Sequence, residues 1–208
     1  MKGENPFWAS FLSRNIVLVQ AVGLCPIILA GTTLQKGVAL AVCTLLVLLP
    51  VSLVMSLVGE RLSPWMRPPL YTVLATLLMV LAAWGLDHYV SHTLYAQLYI
   101  FLPLMAINTL FTYRAGGYSV QHSPLLAILD ALGSGLGFGL VICIVSALRE
   151  MAALGTLWGN ALSYDYRVSA ASLPFAAFIM LAFMAAALQW FKSLLSRAAD
   201  WGRGKKRA

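Results

Sequence analysis

Hydrophobic residues in this chain are gathered into six long runs that short polar segments separate. Most of the runs are near the ~20 residues that an α-helix needs to cross the hydrocarbon core of a bilayer. They cover residues 16–34, 38–58, 70–86, 95–113, 125–148 and 170–190. The pattern predicts an all-α integral membrane protein with six transmembrane helices, and it leaves no stretch long enough for a soluble domain.

The first and fourth runs differ from the others because each contains an internal proline, Pro26 and Pro103 respectively. Proline removes a backbone donor and interrupts a helix, and the nearby Gly23 lets another backbone approach closely. Interrupted backbone at membrane depth is tolerated only where protein or a cavity covers it. Since each interrupted run precedes two less interrupted ones, we predict two inverted three-helix repeats, with the first and fourth helices broken and a site between the repeats.

Composition supports the membrane prediction, since 61% of the 208 residues are hydrophobic and only 10% are charged. A soluble domain of this length could not bury so much apolar surface. We expect a cytoplasmic N-terminal segment over residues 1–14, a six-helix membrane domain over 15–192 and a basic cytoplasmic tail over 193–208. No small-residue cleavage site follows the first run, so we expect that run to be retained as an anchor.

The positions of lysine and arginine predict the orientation. If the N-terminus is cytoplasmic, eleven of the 14 basic residues fall on the cytoplasmic side and three fall outside. Basic residues are enriched in cytoplasmic segments, so both termini are predicted to be inside a bacterial or archaeal cytoplasmic (inner) membrane. Much of the net charge of +7 lies in the C-terminal tail. This favours contact with anionic lipid over nucleic-acid binding.

A few polar side chains within the apolar runs are candidates for function. Asn108 and Asp130 lie in the fourth and fifth runs. Polar or charged groups inside a membrane are costly and often functional, so both are candidates for an ion pathway; the alternative for Asp130 is a helix end at the interface. Cys25 is set apart by its glycine and proline neighbours, whereas Cys43 and Cys143 are expected to be small hydrophobic residues.

Two other motifs predict packing and not chemistry. The glycine-rich stretch 133–139 has neither the preceding strand nor the following acid of a dinucleotide-binding loop. Gly135 and Gly139 are spaced as in close helix–helix contacts, and this favours packing. Arg149 and Glu150 end the fifth run, where an interfacial charge pair that contributes little is the simplest interpretation.

The histidines give weak support for a metal site. His88 and His92 are four residues apart and lie beside Asp87, but they fall in a short loop. His122 is distant in sequence. Zinc sites usually draw their ligands from a tighter arrangement of cysteine and histidine, so we expect these residues to be interfacial. No serine, histidine and aspartate are arranged as an intramembrane hydrolase would need.

Several short motifs, taken in order, resemble those of a known family. They are Leu18-Val19-Gln20-Ala21-Val22-Gly23-Leu24-Cys25-Pro26, Ile100-Phe101-Leu102-Pro103-Leu104 with Asn108, Leu129-Asp130 with Gly135-Leu136-Gly137-Phe138, Leu148-Arg149-Glu150, and Gly155-Thr156-Leu157-Trp158. The chain resembles the membrane subunits shared by the Rnf complex, an ion-translocating ferredoxin:NAD oxidoreductase, and the sodium-pumping NADH:quinone oxidoreductase. Its orientation and last motif fit the E-type subunit of the former, or the D-type of the latter.

The resemblance implies a partner and a cofactor. In the family, this subunit pairs with a paralogous A-type membrane subunit, and the pair holds one [2Fe-2S] cluster with two cysteines from each chain. Cys25 occupies one ligand position, whereas the expected second position is Thr109, whose hydroxyl is a poor iron–sulfur ligand. Tyr113 also replaces a glycine that the family has before Arg114. Either the cluster is bound differently, with Cys143 recruited, or it has been lost.

The resemblance further implies a function. The chain would be a membrane subunit, non-catalytic alone, of a redox-driven translocase that couples electron transfer between ferredoxin and NAD to Na⁺ or H⁺ translocation. It carries no NAD, FMN or ferredoxin-binding signature of its own. The alternative is a diverged paralogue without the iron–sulfur centre, acting as a transporter-like or structural assembly subunit. In that case Asp130 and Asn108 would matter more than Cys25.

Overall fold

The computed structural model describes residues 17–161 and 168–204, and these residues are almost entirely helical. The α-helices in this part of the chain are α1 Leu24–Leu29, α2 Leu34–Val58, α3 Arg67–Gly85, α4 His92–Leu98, α5 Phe101–Ala106, α6 Thr109–Phe111, α7 Pro124–Leu154 and α8 Pro174–Gly204. Two π-helical segments, Leu86–Val90 and Thr112–Tyr118, follow α3 and α6. A small antiparallel hairpin of β1 Thr156–Leu157 and β2 Asn160–Ala161 follows α7.

Four of these helices are long and apolar enough to cross a membrane, by length and composition: α2, α3, α7 and α8. A fifth span is formed if α4 and the helical stretch from Phe101 to Gln121, which meet at a bend of 61°, are counted together. The all-α membrane fold is therefore confirmed, but the count of six is not. The described part of the first run contains only the six-residue α1, which is too short to span a bilayer.

Some sequence predictions concern residues outside the described ranges. Ile16, the predicted start of the first run, and the N-terminal segment 1–14 are among them, as are the last residues of the predicted tail, 205–208. The tail prediction begins at residue 193, and α8 remains helical from there to Gly204.

The centre of the fold is the antiparallel pair α2 and α7, which pack against each other along much of their length. Glycines allow the close approach. A Cβ built on Gly135 would lie 2.5 Å from Leu45, and one on Gly139 would lie 3.2 Å from Ala41. Gly37 of α2 makes a similar contact with α7 further along. The packing role predicted for Gly135 and Gly139 is confirmed, and it follows the rule that small residues let membrane helices approach.

The same order of elements occurs twice. An interrupted segment containing α1 precedes the long helices α2 and α3, and an interrupted segment containing α4 to α6 precedes α7 and α8. The prediction that the first and fourth segments are broken is confirmed, but the prolines are not the points of interruption. Pro26 lies in the first turn of α1, where a missing N–H is harmless, and Pro103 lies within α5. The chain is interrupted instead at residues 21–23 in the first segment and at 99–100 and 107–108 in the fourth.

Candidate functional site

The first interrupted segment turns sharply just before α1. Ala21 and Gly23 both have positive φ angles, of 54° and 79°. The left-handed region is strained for most residues and natural for glycine. A Cβ on Gly23 would meet its nearest neighbours at an ordinary 3.6 Å, so the backbone angle, and not lack of space, requires glycine. The turn brings Cys25 into the first turn of α1.

The second interrupted segment turns at Asn108, which caps α6. The Asn108 side chain is 9% exposed, and its Oδ1 accepts hydrogen bonds from the Leu110 backbone N–H and the Thr109 hydroxyl, both at 3.3 Å. Asparagine is among the preferred N-cap residues because its side chain satisfies a free N–H of the first turn. The intramembrane amide therefore has a local structural partner.

The two interruptions meet. The backbone N–H of Gly23 donates a hydrogen bond of 3.2 Å to Oγ1 of Thr109. Thr109 in turn donates to Asn108, so one hydroxyl uses both its donor and an acceptor position. A short chain of hydrogen bonds thus ties the turn before α1 to the turn before α6. The two positions that the resemblance pairs, Cys25 and Thr109, are brought together by this contact.

A cavity of about 190 Å³ lies at this meeting point and is lined by Cys25, Asn108 and Thr109 together with apolar side chains of α5, including Phe101 and Met105. Cys25 and Thr109 are both exposed in the isolated chain, so the cavity is open on the side that carries them. Its lining is mostly hydrocarbon, with one thiol, one hydroxyl and one amide as the polar groups. Such a concave, largely apolar site with a few polar groups is typical of binding sites.

Asp130 lies on α7, outside the cavity lining, and is paired with an arginine. Its carboxylate accepts a hydrogen bond of 2.8 Å from Nη1 of Arg114, and both side chains are almost fully buried. Arg114 belongs to the π-helical segment after α6, whereas Asp130 belongs to α7. The pair therefore fixes the second interrupted segment against α7. Asp130 is 1% exposed, so its carboxylate is held inside the helix packing by this pair.

Arg149 of α7 holds the first broken segment in a comparable way but has a different set of partners. The residue is 1% exposed. Its Nη1 donates to the carbonyl oxygens of Ile28 and Gly31 at 2.9 and 3.0 Å. Its Nε and Nη2 donate to the carbonyl oxygens of residues 171–173, the shortest bond being 2.6 Å. The guanidinium thus joins the end of α1 to the segment that leads into α8.

Glu150 and its neighbour Arg149 bind different groups. Its Oε2 accepts a hydrogen bond of 2.7 Å from the Leu34 N–H at the start of α2. Its Oε1 accepts bonds from the Gly159 N–H and the Thr156 hydroxyl in the hairpin after α7. A carboxylate at a helix N-terminus is favourable because of the helix dipole and the free N–H groups there. The prediction of an interfacial Arg149–Glu150 charge pair is therefore wrong.

The remaining candidates lie outside this site. Cys43 is 4% exposed in α2, and Cys143 is half-buried in α7; neither lines the cavity. His88 stacks on Trp84, and an exposed His92 contacts Asp87. Within the described residues, no three of the histidines, cysteines and acids are grouped so that they could hold a metal ion.

Sequence reasoning missed three contributors to the site. The Arg114–Asp130 pair joins residues only 16 positions apart, and its signal was an arginine and an acid that both needed a partner at membrane depth. The hydrogen bond from the Gly23 N–H to Thr109 had no signal in the sequence, because every residue except proline carries a backbone N–H. The carbonyl partners of Arg149 were hidden from the sequence for the same reason.

Fold and site together define a multi-pass α-helical membrane protein in which two interrupted segments meet at a cavity between repeated halves. Residues 5–193 match a family model described as "Rnf-Nqr subunit, membrane protein". The match covers most of the sequence, so the chain belongs to the Rnf-Nqr family.

Individual relatives agree with that assignment. The chain is 33% identical over 154 residues to the E subunit of the ion-translocating oxidoreductase complex of Shewanella piezotolerans, and the match covers 74% of this chain and 66% of that protein. It is 32% identical to the protein of that name from Aliivibrio fischeri, over 76% of this chain and 67% of the relative. For the Shewanella oneidensis protein of that name, identity is 31% over 86% and 83% of the two chains. The first two matches thus span about two thirds of those relatives.

Proposed function

We propose that this chain is the E-type membrane subunit of an ion-translocating oxidoreductase complex and that it provides one half of the ion path. The observation that carries the proposal is the meeting of the two broken segments at Gly23 and Thr109, in a chain whose relatives are named as such subunits. Broken segments that meet between repeats are the usual place for the site of a transporter.

The reaction of the whole complex follows the resemblance. Electrons pass between ferredoxin and NAD on partner subunits, and their transfer is coupled to movement of Na⁺ or H⁺ across the membrane. This chain is non-catalytic alone and acts by shaping the path. The bacterial or archaeal cytoplasmic membrane, with both termini inside, is the location that the lysine and arginine distribution supports.

The open side of the cavity is the proposed contact with the paralogous A-type subunit. Cys25 and Thr109 are exposed there beside the exposed side chains of Leu104 and Ile107. A second membrane chain placed on this side would cover the apolar groups and close the cavity. The site would then lie between two chains, each with its own pair of broken segments.

Asn108 and Asp130 remain proposed residues of the ion pathway, in different capacities. Asn108 lines the cavity directly, and its amide oxygen, which accepts hydrogen bonds from Leu110 and Thr109, holds the turn at the edge of the path. Asp130 is committed to Arg114, and a paired carboxylate holds its charge without offering it to a passing ion. Asp130 therefore supports the path by positioning the segment that carries Asn108.

Two versions of this function differ in the metal centre. In one, Cys25 would be a ligand of a [2Fe-2S] cluster shared with the partner. In the other, the chain is a diverged subunit without a redox centre and serves transport or assembly only. The single thiol in the cavity favours the second version, since iron–sulfur clusters are held chiefly by thiolates.

The test is ion uptake in inverted membrane vesicles from the native host. We expect vesicles that lack the chain to lose Na⁺ or H⁺ uptake driven by NADH or reduced ferredoxin, and wild-type chain to restore it. Asn108→Ala should restore less uptake than the wild type, whereas Gly85→Ala should restore it fully, because nothing lies within 4 Å of Gly85. Undiminished uptake without the chain, or failure of the chain to co-purify with other subunits, would contradict the proposal. Uptake that persists without an electron donor would identify the transport-only version.

A further inference from the structure

The groups around Cys25 offer little to a metal. Of the side chains that line the cavity, Cys25 carries a thiol, Thr109 a hydroxyl, Asn108 an amide and Met105 a thioether. The thioether is 1% exposed and already receives a contact of 3.9 Å from the Asn108 amide nitrogen. A four-thiolate [2Fe-2S] cluster shared equally between two chains needs two thiolates from each. This donor set supplies one.

The Thr109 hydroxyl is also occupied. It accepts from the Gly23 N–H and donates to the side-chain Oδ1 of Asn108. Gly23 is buried, so turning the hydroxyl towards a metal would leave a buried N–H without its partner, and an unsatisfied buried donor is costly. A hard, neutral hydroxyl is moreover a poor ligand beside thiolates. Thr109 therefore serves the protein better as a tie between the two segments than as a ligand.

Cys143 does not take the second ligand position. On α7, Phe138 is the side chain that approaches the turn at Gly23, where a Cβ would lie 3.6 Å from its ring. Cys143 is five residues further along, which in an α-helix means about 7.5 Å of rise and a rotation of about 140°. It faces away from the cavity and does not line it. The recruitment considered from the sequence is not supported by this geometry.

We infer that this subunit holds no [2Fe-2S] cluster of the shared four-thiolate kind, and that Thr109 has become a structural tie between the two broken segments. The inference rests on the proposed function, because only a subunit of such a complex is expected to share a cluster. The inference favours the version of the proposed function in which this subunit has no redox centre. It also gives the Gly23–Thr109 hydrogen bond the role of holding the two sides of the cavity together.

The first experiment measures iron by difference. The complex is purified anaerobically through this chain, in wild-type and Cys25→Ser forms, and iron and acid-labile sulfide are counted per complex. We expect equal counts, whatever clusters the other subunits carry. Loss of two iron atoms per complex in the Cys25→Ser form would overturn the inference.

A second measurement covers the case in which the Cys25→Ser complex does not assemble. Native mass spectrometry of the smallest wild-type subcomplex that contains this chain and its paralogous partner should give the bare mass of the two proteins. A mass excess equal to one [2Fe-2S] unit would overturn the inference. If the chain co-purifies with no other subunit, it is the proposed function that fails, whereas a cluster found in the subcomplex overturns the inference and leaves the proposed function standing.

Variants of Thr109 test the tie. Thr109→Ser keeps the hydroxyl and should behave as the wild type, whereas Thr109→Val keeps the shape, removes both hydrogen bonds and should give several-fold less folded chain in the membrane. Equal yields and equal melting temperatures for the valine and serine variants would contradict the structural role. Thr109→Cys gives the cavity a second thiol, and a gain of two irons per complex in this variant alone would show that the hydroxyl is what excludes the cluster.

Discussion

The two broken segments are held against the rest of the molecule by two buried arginines that work in opposite ways. In the second repeat, Arg114 lies on the broken segment and reaches an acid, Asp130, on α7. The first broken segment is instead held by Arg149 of α7, which reaches backbone carbonyls at the end of α1. One broken segment is therefore held by an ion pair, and the other by a cation whose hydrogen-bond partners, among the described residues, are backbone carbonyl oxygens.

The two arginines differ in how their positive charge is balanced. The Arg114–Asp130 pair is neutral as a unit, so the second broken segment adds no net charge to the interior. Arg149 keeps its charge, and its five hydrogen bonds spread that charge over partial charges of the backbone. A buried charge of either kind is tolerated only if it is paired or hydrogen-bonded. Removing one member should therefore be more harmful in the pair than in the carbonyl-bound case.

The largest expected effect comes from Asp130→Asn, which leaves the Arg114 cation buried without its acid. Removing one member of a buried ion pair costs about 3–5 kcal/mol, so we expect a loss of stability of that size in reversible SDS unfolding in mixed micelles. The matched control is Asp87→Asn, which breaks an acid–base contact to a His92 side chain that is 82% exposed. Similar losses of stability in the two variants would show that burial does not make the Arg114–Asp130 pair more important than an exposed contact.

Arg149→Met should cost somewhat less. It removes the cation together with its bonds, so no uncompensated charge remains, but several carbonyl oxygens lose their donor at about 1–3 kcal/mol for each buried group left unsatisfied, partly offset by water and relaxation. We expect about 2–3 kcal/mol in the same unfolding assay. Arg61→Met, at an exposed position, is the control. A loss for Arg149→Met that exceeds the loss for Asp130→Asn would reverse the comparison.

A steric change in the helix pair that supports both segments should have a smaller effect. Gly37→Ala places a Cβ 2.6 Å from the Ser146 hydroxyl and 3.3 Å from a backbone oxygen of α7. Overpacking of this kind costs about 1–2 kcal/mol. Gly85→Ala has open space and should leave the melting temperature unchanged or raise it. Equal melting temperatures would mean that α2 and α7 separate easily.

The smallest effect is expected for Glu150→Gln. The amide retains an oxygen for the Leu34 N–H but loses the negative charge at the start of α2. The two donors at Oε1 lie in the partly exposed hairpin, where water replaces the lost acceptor. Such a charge at a helix N-terminus contributes about 0.5–1 kcal/mol. Glu60→Gln, at an exposed residue after α2, serves as the control. A larger loss than for Arg149→Met would assign the anchoring of the first repeat to the acid and not to the arginine.

Much of the fold was readable from the sequence because long apolar runs have few alternatives in a membrane. The broken segments were also readable, since glycine and proline mark irregular backbone. The number of spans was not, because the first run contains a turn at Gly23 and a helix of six residues. The prolines were misread for a physical reason. Pro26 lies in a first helical turn, where a backbone N–H has no partner within the helix and its absence does not interrupt the helix.

The site was only half readable. The resemblance paired Cys25 with Thr109, and the two residues line one cavity. Asp130 was found as a candidate, but its partner Arg114 was not, because the π-helical turn that aims Arg114 at α7 follows from packing and not from a local motif. The partners of Arg149 and Thr109 are backbone groups, and their positions depend on the whole fold.

The hydrogen bond from Leu34 to Glu150 joins residues 116 positions apart, and this has a consequence for how the protein is made. The chain leaves the ribosome from its N-terminus, so α1 and α2 enter the membrane before the side chains that bind their ends have been synthesised. Arg149 and Glu150 arrive together, one on each side of the turn between α1 and α2. The first half of the molecule is therefore completed by the second, and an N-terminal fragment ending before α7 should be recognised by membrane quality-control proteases as unfinished.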